Sequence, residues 1–96
     1  MGVHPFLMFR RGPNWNRVGE FVPAHLEHVK RLRASGKLAA AGAIEGDSDL
    51  AAIFVFQRMP EYEARRLADE DPFVKNGVVG IEAHRWWCAA HVLPGW

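Results

Sequence analysis

The sequence lacks several features that mark particular classes of protein. It has one cysteine, Cys88, among 96 residues, so no disulfide can form within the chain. No apolar run approaches the roughly 20 residues that a membrane-spanning helix needs. The segment Met1–Pro5 lacks the charged-then-apolar order of a secretory signal. These absences favour a cytoplasmic protein in a reducing environment, with no membrane partner.

Charge of one dominant sign is also missing. The formal net charge is +1, and 24% of the residues are charged. The basic residues form short, interleaved groups such as Arg10–Arg11 and Arg65–Arg66, which argues against a nucleic-acid partner because such surfaces usually carry a one-sided basic stripe. No repeat, linker, low-complexity tract or glycine-rich phosphate loop interrupts the chain. We therefore expect one domain over residues 1–96.

The order of apolar runs and turn signals predicts an α+β fold of the ferredoxin-like βαββαβ type, with an antiparallel sheet. Gly36 is a plausible C-terminal cap for the first helix, and Pro72 should follow the end of the second. The predicted strands are about Val3 to Arg10, Leu38 to Ile44, Ala51 to Phe56 and Val79 to Val92, and the predicted helices run from about Glu20 to Ser35 and from Pro60 to the residue before Pro72.

Two of these strands are apolar on both faces. The stretches Phe6–Phe9 and Ile53–Phe56 do not alternate apolar with polar residues, so both faces of the sheet should avoid water. Two short helices cover one face only. We therefore expect a second copy on the other face, in a symmetric homodimer, although an exposed face with apolar patches is the alternative.

Two polar residues occupy positions where the helices should be apolar. With Phe21 at zero, steps of about 100° place Leu32 at about 20° and His25 at about 40° around the first helix. Asp71 continues the apolar stripe of the second helix at the i, i+3, i+4, i+7 spacing. That stripe consists of Ala64, Leu67 and Ala68. Because both helices should cover the same sheet face, we expect His25 and Asp71 to meet between the helices and the sheet.

Such a pair has a catalytic and a structural interpretation. A carboxylate that accepts from one imidazole nitrogen fixes the tautomer, leaves the other nitrogen free and stabilises the imidazolium, which makes a general base with its orienting group. A buried, hydrogen-bonded pair that only organises the helices has the same sequence pattern. Periodicity alone leaves both interpretations open.

The other candidate residues carry weaker signals. His25 and His28 are neighbours on a helix, but no third ligand completes a metal site, so we expect neither a metal nor a cofactor. Arg10–Arg11, ahead of Trp15, has two interpretations: a cationic lid over an acidic substrate, or an ordinary solvated loop. Trp86–Trp87 is more typical of core or interface anchors than of a pocket lining.

The chain resembles the YCII-related (YciI-like) family over nearly its whole length. The stretch beginning Asp71-Pro72-Phe73 makes the resemblance fairly specific. The segments that carry it are Pro23–Leu26, Gly36–Leu38, Ala41–Gly42, Glu63–Arg65 and Asp71–Gly77, with Arg11–Trp15 similar to one branch of the family.

This resemblance implies a dimeric α+β barrel of ferredoxin-like subunits, with an active-site His and Asp that fall on His25 and Asp71. It also implies cofactor-free proton transfer on small cyclic, acidic or phenolic molecules, dehydrochlorination among them. Together with the helix-face argument, it predicts a small lyase or isomerase. His25 would take the proton, Asp71 would orient His25, and the substrate would be bound by Trp15, His28 and Phe73.

Two other functions stay open at this point. One is a non-catalytic module that binds a small ligand or acts as an accessory dimer, with His25 and Asp71 as a structural contact. The other is a haem or oxygen-handling protein of the same broad fold, although the sequence has no distinctive haem-ligand motif.

Overall fold

Four antiparallel strands form the sheet in a computed structural model that describes residues 2–88. The strands are β1 (Gly2–Arg11), β2 (Leu38–Ala43), β3 (Leu50–Phe56) and β4 (Val79–Cys88), in the order β2-β3-β1-β4. The helices are α1 (Val18–Ala34), α2 (Glu61–Asp69) and α3 (Pro72–Lys75). The predicted ferredoxin-like α+β fold is thus confirmed, with α2 and α3 together in the place of the second helix.

Several predicted boundaries differ from the observed ones. Helix α1 begins at Val18 because a 3₁₀ turn, Trp15–Arg17, runs directly into it. Gly36 follows α1 with a φ of 75°, as expected of a glycine past a helix end. The prediction that Asp71 belongs to the second helix was wrong, since α2 ends at Asp69. The predicted residues 89–92 of the last strand lie outside the described residues.

The helix-covered face of the sheet carries the core. Leu7 and Phe9 of β1 are buried on this face, and Leu7 pairs with Phe54 of β3. The predicted small stripe of α2 is confirmed, because its three residues are buried against these strands. The buried cluster comprises Leu7, Phe9, Leu32, Phe54, Phe56, Ala64, Leu67, Ala68, Val78 and Val79.

The opposite face of the sheet, here called the open face, is also largely apolar. Phe6 pairs with Val55, and Met8 pairs with Ile53, so these four side chains share that face. The ring of Trp86 packs edge-on to Phe6, at 5.9 Å between centroids. No helix of this chain covers these residues within the part that the structure describes.

The open face also carries charges, and the adjacent tryptophans are exposed. Glu82 accepts hydrogen bonds from Nε of Arg10 at 3.2 Å and from Nε2 of His84 at 2.7 Å. These two contacts hold the pKa of Glu82 below its ordinary value, with His84 the larger influence. Trp86 and Trp87 are 41% and 66% exposed, so neither anchors the core of this chain. Their role as interface anchors stays a prediction.

Two glycines allow a close crossing of loops beside α1. A Cβ on Gly12 would lie 2.5 Å from the carbonyl oxygen of Gly77, and Gly77 itself has a φ of 67°. The amides of Gly12 and Asn14 donate to the carbonyls of Val78 and Gly77. Backbone contact therefore joins the loop after β1 to the loop after α3.

No helix within residues 2–88 combines the length and the apolar character needed to cross a membrane.

Candidate active site

An apolar cavity of about 410 Å³ lies between α1 and the sheet. It exists because β2 and the start of β3 carry small side chains, which leave space beneath a helix that larger residues would fill. His25 and Asp71 are the only titratable groups among the described residues that line it. The lining consists of Phe9, Trp15, Val18, Val22, His25, Leu26, Val29, Ala41, Gly42, Ala43, Ala51, Ala52, Phe54, Asp71, Phe73 and Val79.

His25 and Asp71 are brought into direct contact in this cavity. Nδ1 of His25 lies 2.8 Å from Oδ2 and 3.0 Å from Oδ1 of Asp71. An ionised carboxylate only accepts, so Nδ1 of the imidazole donates. The Asp71 side chain is 2% exposed and the His25 side chain 17% exposed. The pair therefore has its carboxylate in the interior and its imidazole towards the cavity.

Asp71 reaches this position as the residue that caps α3. Because Pro72 cannot continue α2 but fits the first turn of a new helix, the chain ends one helix and begins another around Asp71. Oδ1 of Asp71 accepts from the backbone amide of Phe73 at 2.9 Å. The carboxylate thus accepts hydrogen bonds from two donors, the backbone amide at the start of α3 and the imidazole of His25.

Phe73 fixes the plane of the imidazole. Its ring lies 4.0 Å from that of His25, with only 8° between the two planes. The residue that donates its amide to Asp71 therefore also stacks on His25. With Nδ1 occupied, Nε2 has no hydrogen-bond partner among residues 2–88. In the neutral ring this nitrogen is an acceptor.

Trp15 forms another wall of the cavity, and Arg11 supports it from behind. The guanidinium of Arg11 lies 4.8 Å from the centroid of the Trp15 ring and donates to the carbonyl of Gly46 at 3.1 Å. Neither Arg11 nor Arg10 lines the cavity. The interpretation of these arginines as a cationic wall for an acidic substrate is therefore wrong, because one stacks behind the tryptophan and the other pairs with Glu82.

His28 does not lie in this cavity. It is 4% exposed and lines a different cavity, nearer the C-terminal end of α1. Burial lowers its pKa below the ordinary value, and the Asp71 carboxylate opposes part of that effect. Helical geometry explains why His28 is absent from the active-site cavity. Three residues after His25, the side chain points in another direction around α1, towards α2.

Sequence reasoning missed most of the apolar lining. Phe9, Phe54 and Val79 were recognisable as core residues, but nothing in the sequence set them apart as cavity walls. The available signal was the run Ala39–Ala43, whose small side chains in a strand leave space that periodicity does not reveal. Within residues 2–88, no group of three or more His, Cys, Asp or Glu side chains is arranged to hold a metal ion.

The fold and the site define a ferredoxin-like α+β domain with a histidine–carboxylate pair in an apolar cavity. The chain belongs to the YCII family, since the model of the YCII-related domain matches residues 7–85. No curated protein matches the sequence.

Two solved structures are similar to the chain. One is 5-chloro-2-hydroxyhydroquinone dehydrochlorinase (TftG) from Burkholderia phenoliruptrix AC1100, in complex with 2,5-dihydroxybenzoquinone. It is 22% identical, with a TM-score of 0.64 over 86% of this chain and 93% of that one. The other is a dimeric ferredoxin-like protein from an uncultured marine organism, 13% identical, with a TM-score of 0.46 over 95% of this chain and 97% of that one. At 22% identity, the likeness to the dehydrochlorinase concerns the fold.

Proposed function

We propose that this chain is a small cofactor-free enzyme of the lyase or isomerase type. In this proposal His25 moves a proton on a small cyclic or phenolic substrate, and Asp71 orients His25. The observation that supports it most strongly is the 2.8 Å contact between Nδ1 of His25 and Asp71 at the wall of an apolar cavity. Placement in a reducing cytoplasm, which the single cysteine favours, is part of the same proposal.

The chemistry follows from the hydrogen bonds of the pair. Nε2 of His25 accepts a proton from the substrate, and the resulting imidazolium is stabilised by the carboxylate that it already contacts. Asp71 stays an acceptor throughout, because an ionised carboxylate has no proton to donate. Its Oδ1 also accepts from the amide of Phe73. Stacking on Phe73 holds the imidazole plane, so the proton acceptor keeps one direction. Pre-positioning of this kind lowers the entropy cost of the proton transfer.

The lining of the cavity restricts the substrate. No Lys or Arg lies among the described lining residues, so a bound carboxylate or phosphate would lose water without gaining an ionic partner. A planar ring with hydroxyl groups suits the aromatic walls, Trp15 and Phe73, and presents an acidic O–H to His25. We therefore favour phenols and hydroxyquinols over carboxylic acids, and dehydrochlorination of a hydroxyhydroquinone is the first reaction to test.

A second candidate function is a non-catalytic ligand-binding module. It is favoured by the role of Asp71 as the cap of α3, which gives the carboxylate a structural reason to be buried. In that case the contact with His25 would stabilise the fold and carry no proton during a reaction.

We also propose that the chain forms a homodimer through the open face. A second copy is the occupant that this face suits, because it presents apolar side chains together with both signs of charge, Arg10 and Glu82. A two-fold symmetric interface requires such self-complementarity, since each patch meets itself.

Substitution of His25 by Gln tests the proposed role. Glutamine can still donate to Asp71, but it cannot take up a proton. With 5-chloro-2-hydroxyhydroquinone as the substrate, we expect kcat, measured as chloride release, to fall by about 10²–10⁴-fold. Binding of 2-hydroxyhydroquinone, the substrate without its chlorine, should change much less.

Lys30→Gln is the matched control, because Lys30 is exposed on α1 and lies outside the cavity. It should leave turnover and the thermal unfolding midpoint unchanged. Wild-type turnover in the His25→Gln variant would exclude His25 as the base. Ligand binding without any turnover by the wild-type protein, joined to a lower melting temperature of His25→Gln, would favour the binding module.

A further inference from the structure

A second cavity, here called the basic cavity, lies beside the C-terminal half of α1 and shares no lining residue with the candidate active site. Its volume is about 510 Å³. It lies where the C-terminal ends of α1 and α3 approach the start of β2. The lining consists of His28, Arg31, Leu32, Ser35, Lys37, Leu67, Glu70 and Lys75.

The charges around the basic cavity are mostly positive. Three cations and one carboxylate line it, and that carboxylate, Glu70, lies 3.7 Å from Arg66. Lys37 contacts Glu63 at 3.4 Å. Arg31 and Lys75 form no ion pair with a carboxylate among residues 2–88. Two cations of the cavity are thus left without an ion pair in the described residues, although Glu70 lines the same cavity.

His28 supplies an independent observation. It is 4% exposed, and its Nε2 is buried without a hydrogen-bond partner in the part of the chain that the structure describes. An unpaired buried nitrogen is costly, and native structures rarely keep one without a reason. The same side chain lines the cavity, so a bound group would lie beside this imidazole.

Helix dipoles do not account for this combination. A cation at a helix C-terminus stabilises the helix end, which suffices for Arg31 on α1 and Lys75 on α3 considered singly. It does not explain why both converge on one cavity, nor why an imidazole with an unsatisfied nitrogen forms part of the same wall.

We propose that the basic cavity binds a tetrahedral oxyanion, such as inorganic phosphate, sulfate or the phosphate of a small ester. Arg31 offers a planar pair of donors that suits such an anion, and Lys75 adds a second positive charge. The imidazole of His28 lies in the wall beside them, where its protonation would add a further positive charge. The proposal stands apart from the reaction at His25, because it uses none of the groups that line the active-site cavity.

Anion titrations at constant ionic strength, with chloride as the replaced ion, test this site. We expect saturable shifts of the backbone amide signals of residues 31, 35 and 75 in NMR spectra with inorganic phosphate and with sulfate. Glycerol 3-phosphate distinguishes a free inorganic anion from a phosphate ester as the natural ligand. Tighter binding of this ester than of inorganic phosphate would indicate an organic phosphate.

Two double variants that remove the same amount of positive charge distinguish a specific anion site from a general electrostatic attraction. Arg31→Gln with Lys75→Gln removes the unpaired cations, and we expect the Kd for sulfate to rise at least about tenfold. Lys30→Gln with Arg33→Gln removes two exposed cations of α1 outside the cavity. That control should change the Kd by less than about twofold, since screened surface charges act weakly.

The ionisation of His28 provides a second readout. Because burial lowers the pKa of His28 in the free protein, the imidazole is neutral near neutral pH. A bound dianion favours the imidazolium, so sulfate should raise the pKa of His28 and bind more tightly as the pH falls through that pKa. The groups that act on this imidazole from the surrounding elements are His25, Arg31, Lys37, Glu70, Asp71 and Lys75.

Sulfate is the suitable anion for this pH titration, because it stays a dianion over the whole pH range in which His28 titrates. The Arg31→Gln, Lys75→Gln variant should lose the sulfate-dependent change in the pKa of His28. Either of two results would overturn the proposal: binding no stronger than that of chloride, or equal weakening in the two double variants.

Discussion

Asp71 makes two kinds of hydrogen bond, and substitution can separate them. One oxygen caps α3 through the amide of Phe73, and both oxygens lie within 3.0 Å of Nδ1 of His25. Asparagine keeps the cap, because Asn and Asp are about equal at this position. Its single oxygen then serves Phe73, and its amide group faces His25 as a donor. The imidazole is thereby driven into the tautomer that carries its proton on Nε2.

We predict that Asp71→Asn lowers kcat by about 10²–10⁴-fold, as expected when an orienting carboxylate is lost and the wrong tautomer is favoured. The free energy of unfolding should fall by only about 1 kcal/mol, because the cap survives. Kinetics, denaturant titration and ¹⁵N NMR of the His25 ring measure the three effects.

Asp71→Ala serves as the comparison, since it removes the cap as well and should lower stability by roughly a further 0.5–2 kcal/mol. An Asp71→Asn variant with unchanged kcat, or with Nδ1 still protonated, would contradict the positioning role.

The sequence predicted the contact between His25 and Asp71, but it did not predict the local structure that produces this contact. Helical spacing placed His25 correctly, because its phase depends only on a regular helix. The same spacing put Asp71 on the wrong element, since proline at the next position starts α3 and makes Asp71 a cap. Stacking of Phe73 on His25 depends on that new helix, so no pattern in the chain could reveal it.

Strand β2 determines whether the cavity exists. Its Ala41 and Ala43 face α1 beside Phe54 and Ala52 of β3, and their side chains are too short to reach the helix. The sequence predicted the strand itself, but not the empty volume, because small residues in a strand are equally compatible with closer approach of the helix.

We predict that Ala52→Leu fills this volume and weakens binding of 2-hydroxyhydroquinone at least about tenfold. The thermal unfolding midpoint should stay the same or rise, because each added buried CH₂ contributes about 0.8 kcal/mol. Isothermal titration calorimetry measures the ligand affinity, and differential scanning calorimetry measures the unfolding midpoint.

Ala24→Leu is the control, since Ala24 is exposed on α1 and outside the cavity. It should leave ligand binding within about twofold of wild type. If Ala52→Leu bound the ligand as tightly as wild type, the cavity would not be the ligand site.

At the scale of the whole molecule, we expect the open face to form the interface between two copies. Trp86 lies on that face against Phe6, whereas Trp87 pairs with Val3 and faces the other way. The apolar strands predicted such a face from the sequence alone. Its charges, Arg10 with Glu82 and His84, emerge only from the register of β1 with β4.

We predict that wild-type protein sediments as a dimer and that Trp86→Glu converts it to a monomer, because the interface would lose an apolar ring and would have to take a carboxylate out of water. Sedimentation velocity at micromolar concentration measures this.

Trp87→Glu makes the same chemical change on the opposite face and should stay dimeric. A monomeric wild-type protein, or equal dissociation of both variants, would show that the open face is not the interface.

The crossing of Gly12 and Gly77 has a consequence for how the chain can vary in length. Because the two loops touch backbone to backbone, an inserted residue in either one would displace both the Trp15 wall and the Asp71–Phe73 wall. Neither loop can be lengthened independently of the other. Changes of length on this side of the molecule should therefore come in compensating pairs, and a single insertion there should abolish ligand binding while the sheet still folds.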